Sequence, residues 1–413
     1  MSSFSSPLSG LNAAQKNLQS ISNNLANIDT IGYKDQSVSF SDIFSASSTT
    51  NGSGDPVQTG SGVSVAATNS NFTDGSLSPT ETASNMALSG NGFFVTKSSS
   101  GSQEYTRSGD FTTNSAGQLT TANGELVQGY PSVDGVVNTS AALQPLKVSS
   151  VISPAVASTT VGITANLASG TAVGDSATSS SLPIFDSLGT SHTLTVSYTK
   201  TAANTWTYTA SVPSSDITGG TGTTTTVGSG TLNFDTSGAL SSITNVVPIS
   251  VPTLADGATS PLTVSGPFGT ASNPTITQTS LASATSATST DGFASGTLSS
   301  YSVSSDGTIE GKFSSGSTLA LGQVAVASFA NTQGLVSIGN NAYQPSSASG
   351  SAVVGVAGTG GRGTITGGSV ESSNVDIATE FAKLIVAQQA YSANAKTVTA
   401  FNQVSQATIA MLQ

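Results

Sequence analysis

Both ends of this 413-residue chain carry narrow apolar stripes at helical spacing, and everything between them is patterned for strands. Near the N-terminus Phe4, Leu11, Leu18 and Leu25 recur every seven residues, with Ala14, Ile21 and Ile28 three positions on. Near the C-terminus Ile377, Phe381, Leu384, Tyr391, Ala395, Val398, Ile409 and Leu412 form a second stripe, and no Pro or Gly interrupts 376–413. Spacing of this kind gives a helix a seam that another helix covers. Two arrangements satisfy it. The ends pack as a helical hairpin on the β-rich middle, because core-facing stripes share the spacing. Alternatively, they pack against neighbouring copies of the chain. The seams find no obvious partner in the middle, which favours the second and points to assembly rather than chemistry.

The local signals agree with helices at the ends. Ser6-Pro7 is a helix start, with Ser as N-cap and Pro at the first helical position, and the helix is expected to run to Ala26 or Asn27. Ser373-x-x-Asp376 reads as a capping box, and Asp376 and Glu380 fall in the first turns, where the helix dipole favours anions. Residues 29–71 read as a long, polar, irregular connector with one hairpin. Strand signals sharpen from Phe72. Asn91-Gly92 precedes Phe93-Phe94-Val95, and Asn123-Gly124 and Asp306-Gly307 are hairpin turns. Leu321 to Phe329 reads as a buried strand. The Ser/Thr-rich block 148–286 alternates cleanly at Thr193–Tyr198 and Trp206–Tyr208, as an all-β insert does. The expected fold is mixed and mainly β. Two or more β domains are inserted between N- and C-terminal α-helices that pair as a coiled-coil-like core.

Composition narrows the function. Charged residues are only 8% of the chain, against about 25% in a typical soluble domain. The net charge is −11, a poor match for a phosphate backbone or an anionic membrane surface. No run of apolar residues is long enough to span a bilayer. There is no Cys, so disulfides and thiolate chemistry are excluded. The N-terminus lacks a basic region followed by a continuous apolar stretch, so no cleavable signal peptide is expected and export would take another route.

Chemistry-bearing motifs are scarce. Gly358-x-Gly360-x-x-Gly363 matches a phosphate loop, but Thr364-Ile365-Thr366-Gly367-Gly368 follows it instead of a helix, so it reads as a flexible loop. His192 is the sole histidine and is expected to face solvent from an alternating strand. One His without Cys makes a poor zinc set. The carboxylates are scattered, and no catalytic, cofactor or metal site is expected.

The end sequences resemble a known family. Ser9-Gly-Leu-Asn-Ala-Ala-Gln-Lys16, Ile21-Ser-Asn-Asn-Leu-Ala-Asn27 and Thr30-Ile-Gly-Tyr-Lys34 are similar to the N-terminal signature of the bacterial flagellar axial family of rod, hook and hook-associated proteins. Gly368-Ser-Val-Glu-Ser-Ser-Asn-Val-Asp376 and Val386-Ala-Gln-Gln-Ala-Tyr391 match its C-terminal signature. Asn91-Gly-Phe-Phe-Val95 and Tyr105-Thr-Arg-Ser-Gly-Asp-Phe111 resemble its inner β domain. Asp291-Gly-Phe-Ala-Ser-Gly-Thr-Leu298, Leu321-Gly-Gln-Val-Ala-Val-Ala327 and Gly339-Asn-Asn341 look like the hook branch.

The resemblance implies a structural subunit that polymerises into a flexible curved tube, transmitting motor torque to the filament. It implies terminal core segments 1–32 and 366–413, a linking segment 33–71, a split inner β domain (72–147 and 287–365) and an outer insert, 148–286. The implied partners are further copies of the chain, rod and hook–filament junction proteins, an assembly cap and the flagellar type III export apparatus. Nucleic acid and membrane insertion are not expected. The expected interface residues are Phe4, Leu8, Leu11, Leu18, Ile21, Leu25 and Ile28, with Ile377, Phe381, Leu384, Tyr391, Ala395, Val398, Ile409 and Leu412. Other axial components, a secreted β-rich fibre or adhesin and an enzyme are the alternatives.

Overall fold

A computed structural model describes residues 5–45, 59–149, 151–270 and 273–411. The chain forms two compact units. The first comprises Met1–Ser149, Tyr301–Gly311 and Ala320–Gln413, and the second Ser150–Ser300 with Lys312–Leu319.

The first unit contains both terminal helices, α1 (Ser5–Ala26) and α2 (Ile377–Met411). Pro7 lies in the first turn of α1, where its missing N–H leaves no bond unmade. The start of α2 differs from the expected capping box. Asp376 itself caps the helix, its Oδ1 accepting from Thr379 N at 2.6 Å, while Ser373 Oγ accepts from Val375 N at 3.3 Å in the preceding turn. The residue next to the helix is the one that reaches its free N–H groups.

The connector is more regular than its composition suggests. Gln36–Ser45 (β1) and Thr59–Ser70 (β2) pair antiparallel from Gln36↔Ser70 to Ser45↔Thr59. Two register shifts, at Ser39/Phe40 and Ile43/Phe44, bend the ladder.

The first unit also contains a β core. Strand Phe93–Lys97 pairs with Gln103–Thr106 and with Leu126–Val133. It also meets the Thr318–Ser328 strand at Val326↔Phe94 and Ala327↔Phe93. Side chains alternate across a strand, and here both faces are covered. Phe94, Val324 and Val326 enter one apolar cluster with Met86, Leu88 and Phe111. Phe93, Val95, Ala325 and Ala327 enter another with Tyr105 and Tyr343. Burial on both sides explains why these segments read as unbroken apolar runs instead of alternating ones.

The second unit is built on a five-stranded antiparallel meander: Ser176–Phe185, Ser191–Ala202, Thr205–Pro213, Thr224–Phe234 and Leu240–Val247. A three-stranded sheet joins Val161–Ala168 to Ile276–Thr279 and Ala284–Thr290. Trp206 is fully buried and donates to Gln278 Oε1 at 2.7 Å, so its indole N–H is satisfied inside the core.

His192 does not face solvent. It shares strand parity with Leu194, Val196 and Tyr198, all buried, and is itself 4% exposed. The alternation was legible; its inward face includes the histidine.

Candidate assembly interface

One polar contact and one close approach set how the terminal helices pair. Asn24 on α1 donates to Glu380 Oε2 on α2 at 3.3 Å. Near the other end, a Cβ at Gly10 would stand 3.0 Å from the Asn394 side chain. As the chain advances along one helix it retreats along the other, so the pair is antiparallel. At that register Val404–Met411 lie beyond the start of α1 at Ser5.

Asn24 is the hub of the joint and is 1% exposed. Its Oδ1 accepts from Tyr33 Oη at 3.1 Å and from Gln36 N at 2.9 Å, and its Nδ2 donates to Gln36 O at 2.9 Å. One side chain thus ties α1 to α2 and to the first residue of the hairpin. Glu380 is buried too, and Lys383 caps its other oxygen at 2.6 Å. Burial, with Asp35 and Glu380 nearby, pushes the Tyr33 hydroxyl up to about 12, so it stays protonated and keeps donating. The hairpin is fastened along its length, because Ser9 Oγ accepts from Val63 N at 3.1 Å and Ser20 Oγ donates to Gln36 O at 2.8 Å.

Below the helices a buried charge network anchors both chain ends to the β core. Lys34 Nζ lies 2.6 Å from Glu371 Oε1, and Arg107 lies 3.5 Å from Glu371 Oε2. Gly75 N donates to the same Glu371 Oε1 at 2.8 Å. Gly32 makes the approach possible. It holds φ +70°, and a Cβ there would sit 2.6 Å from Ser108 N.

The expected interface residues divide into two sets. Ile21 is buried, and Leu11, Leu18, Leu25, Ile28, Leu384, Ala395 and Val398 are half-buried. In α2 the covered positions Glu380, Leu384, Ala387, Ala395, Val398 and Phe401 form the stripe used within the chain. Leu8, Ile377, Phe381, Tyr391 and Ile409 remain exposed, between 38% and 57%. Phe4 and Leu412 lie outside the described residues. Further exposed apolar side chains come from Ile385, Val386 and Val404 on α2 and from Phe40, Ile43, Phe44 and Val65 on the hairpin. None of these was singled out from heptad spacing, which selects one seam and discards the other faces. Asn24, Glu380 and Glu371 were missed for a different reason: polar residues within an apolar pattern give no signal until their distant partners are known.

Comparison with known proteins settles the family. Four flagellar models match: the flagella basal body rod protein model at residues 7–34, and the flagellar hook protein FlgE/F/G D1 domain at 87–166. The FlaE D2 domain matches at 156–293 and the basal body rod FlgEFG C-terminal model at 366–411. The chain is 35% identical to the flagellar hook protein FlgE of Escherichia coli (strain K12), covering 97% of this chain and 98% of that one. It belongs to the flagellar hook protein family. Identity to the hook protein of Treponema pallidum is 31%, over 96% of each chain. The crystal structure of Helicobacter pylori flagellar hook protein FlgE2 shares the fold, with TM-score 0.50 and 16% identity across 70% of this chain and 98% of that one. The chain is therefore a structural subunit of the bacterial flagellar hook, a member of a family of structural proteins.

Proposed function

We propose that this hook subunit assembles through the apolar surface that its own fold leaves open. The observation that carries the reading is α2, which covers one stripe against α1 and leaves Ile377, Phe381, Ile385, Val404 and Ile409 substantially exposed. Fully burying one such side chain stabilises by about 1.5–3 kcal/mol, so a few of them on a neighbouring copy offset the entropy of ordering a subunit. Burial available only in the polymer makes assembly self-reinforcing.

On this reading segments 1–32 and 366–413 line the tube's core, and 33–71 links them to the split domain 72–147 and 287–365. The 148–286 insert lies outermost. Torsional strength resides in the interlocked helices. Bending uses the outer domains, whose Ser/Thr/Gly surfaces make few strong or directional contacts with neighbours. The subunit works outside the cell, joined to rod and junction proteins. It reaches that place through the flagellar export apparatus without signal cleavage, and is added beneath an assembly cap. It carries out no catalysis.

Immuno-electron microscopy with antibody against residues 150–286 tests the arrangement. Label on the outside of the short curved segment at the filament base supports it. Hooks that label only after being broken open would place the insert inside the wall and overturn the layering.

A further inference from the structure

One imidazole in the second unit is surrounded by three carboxylates. His192 Nε2 lies 3.1 Å from Asp186 Oδ2, and Nδ1 lies 3.0 Å from Asp216 Oδ2. Asp256 completes the group. One ligand atom each from Asp186, His192 and Asp256 lie within 4.8 Å of one another. Asp186 and His192 are buried, and Asp256 opens the group to solvent.

Hydrogen bonding alone leaves this arrangement unbalanced. A neutral imidazole has one N–H, so one of its two N···O contacts would set lone pair against lone pair. An imidazolium resolves that contact, yet it leaves Asp186 and Asp256 facing each other as like charges. Among the described residues no lysine or arginine forms an ion pair with any of the three carboxylates. A cation between Asp186, Nε2 and Asp256 resolves both conflicts.

The Asp186–His192 spacing suits a cation, and Asp256, within 4.8 Å of both, closes on it by a side-chain rotation. Zinc ligands lie about 2.0–2.2 Å from the metal, which spaces neighbouring donor atoms roughly 3.0–3.5 Å apart. The Asp186–His192 separation falls in that range. Asp186 is already oriented, because its Oδ1 accepts from Leu188 N and Thr190 N at 2.8 and 2.9 Å, leaving Oδ2 for the site. Asp216 stands behind Nδ1, where a carboxylate fixes the tautomer that presents Nε2 to a metal.

We propose that the second unit binds one divalent cation of the zinc class through Asp186, His192 and Asp256, with Asp216 as a positioning residue. One imidazole among carboxylates suits zinc better than calcium, which takes oxygen ligands alone. The ion would fasten the turn after Ser176–Phe185 and the start of Ser191–Ala202 to the loop carrying Asp256, and the 3-10 turn at Ser214–Asp216 joins through the contact of Asp216 with His192. The segments are already linked, since Ala255 N donates to Asp216 O at 3.0 Å and Thr259 N to the Ser187 side-chain Oγ at 2.8 Å.

The test uses the full-length chain stripped with chelator, then titrated calorimetrically with zinc chloride and, in parallel, calcium chloride. One zinc per chain and a raised melting temperature for the second unit are expected, with no effect of calcium. Asp256→Asn should abolish binding, and by removing the like charge that faces Asp186 it should raise the metal-free melting temperature or leave it unchanged, never lower it. Asp216→Asn should weaken binding about 10- to 100-fold without abolishing it. Folded wild-type chain that takes up no zinc would overturn the proposal and leave His192 a protonated clamp between carboxylates. Asp256→Asn chain that binds zinc as tightly as wild type would overturn it equally.

Discussion

Lys34 and Glu371, 337 residues apart in sequence, meet at 2.6 Å with both side chains fully buried. Arg107 and the backbone of Gly75 share the same carboxylate. Removing one member of a buried pair leaves an uncompensated charge, at a cost of about 3–5 kcal/mol. Glu371→Gln should therefore lower the stability of the first unit by that order in urea unfolding. The double variant Lys34→Met, Glu371→Leu should recover part of the loss. A single variant as stable as wild type would show that water reaches the pair.

Surface burial separates folding from assembly on α2. Ile385 is 54% exposed and Phe381 49%, whereas Leu384 between them is half-buried. Ile385→Asp and Phe381→Asp should keep the helical circular dichroism of wild type and fail to form tubes. Leu384→Asp, and Leu18→Asp on α1, should block tubes and also reduce helicity, because an unpaired charge then sits against the partner helix. Tubes of normal length from Ile385→Asp would place that face outside the interface.

Gly32→Ala tests the close approach of the N-terminal segment to the β core. The left-handed backbone costs a non-glycine residue about 1–3 kcal/mol. The added Cβ must also displace Ser108 backbone. A drop in melting temperature larger than that of Gly101→Ala is expected. Gly101 shares the positive φ but has open space around it.

Asp35 links stability to pH. Burial raises its carboxyl above the ordinary range; Lys383 opposes this, Glu380 adds to it and Asn71 opposes it. Its Oδ1 is buried without a hydrogen-bond partner. With a raised folded pKa, its contribution is complete below the unfolded value, about 3.9, and is lost as pH rises through the folded value. Wild-type stability measured against Asp35→Asn should fall as pH rises across that window. A difference that stays flat from below about pH 3.9 to neutrality would mean that Asp35 titrates normally.

What could be read in advance follows from the range of each signal. Helix spacing and strand alternation are local, so α1, α2 and the strands around Phe94, Val196 and Val326 were visible. Parity also placed His192 on a particular face, but inside and outside are decided by which neighbours cover the sheet. The joint at Asn24 and Glu380 was illegible because it joins residues 356 positions apart. The carboxylates around His192 arrive from three separate loops, and no spacing rule connects them. The hairpin of β1 and β2 was expected in the connector, but its length was obscured by Ser and Gly, and its pairing is supported by α1 packing.

The antiparallel pairing of α1 and α2 has a practical consequence for anyone labelling this protein. The start of α1 and the end of α2 lie at the same end of the helix pair. On the proposed assembly through these helices, an affinity tag or fluorophore fused at either terminus should hinder growth of the tube in the same manner. The exposed turn at Thr218–Gly222 is the better address for a probe.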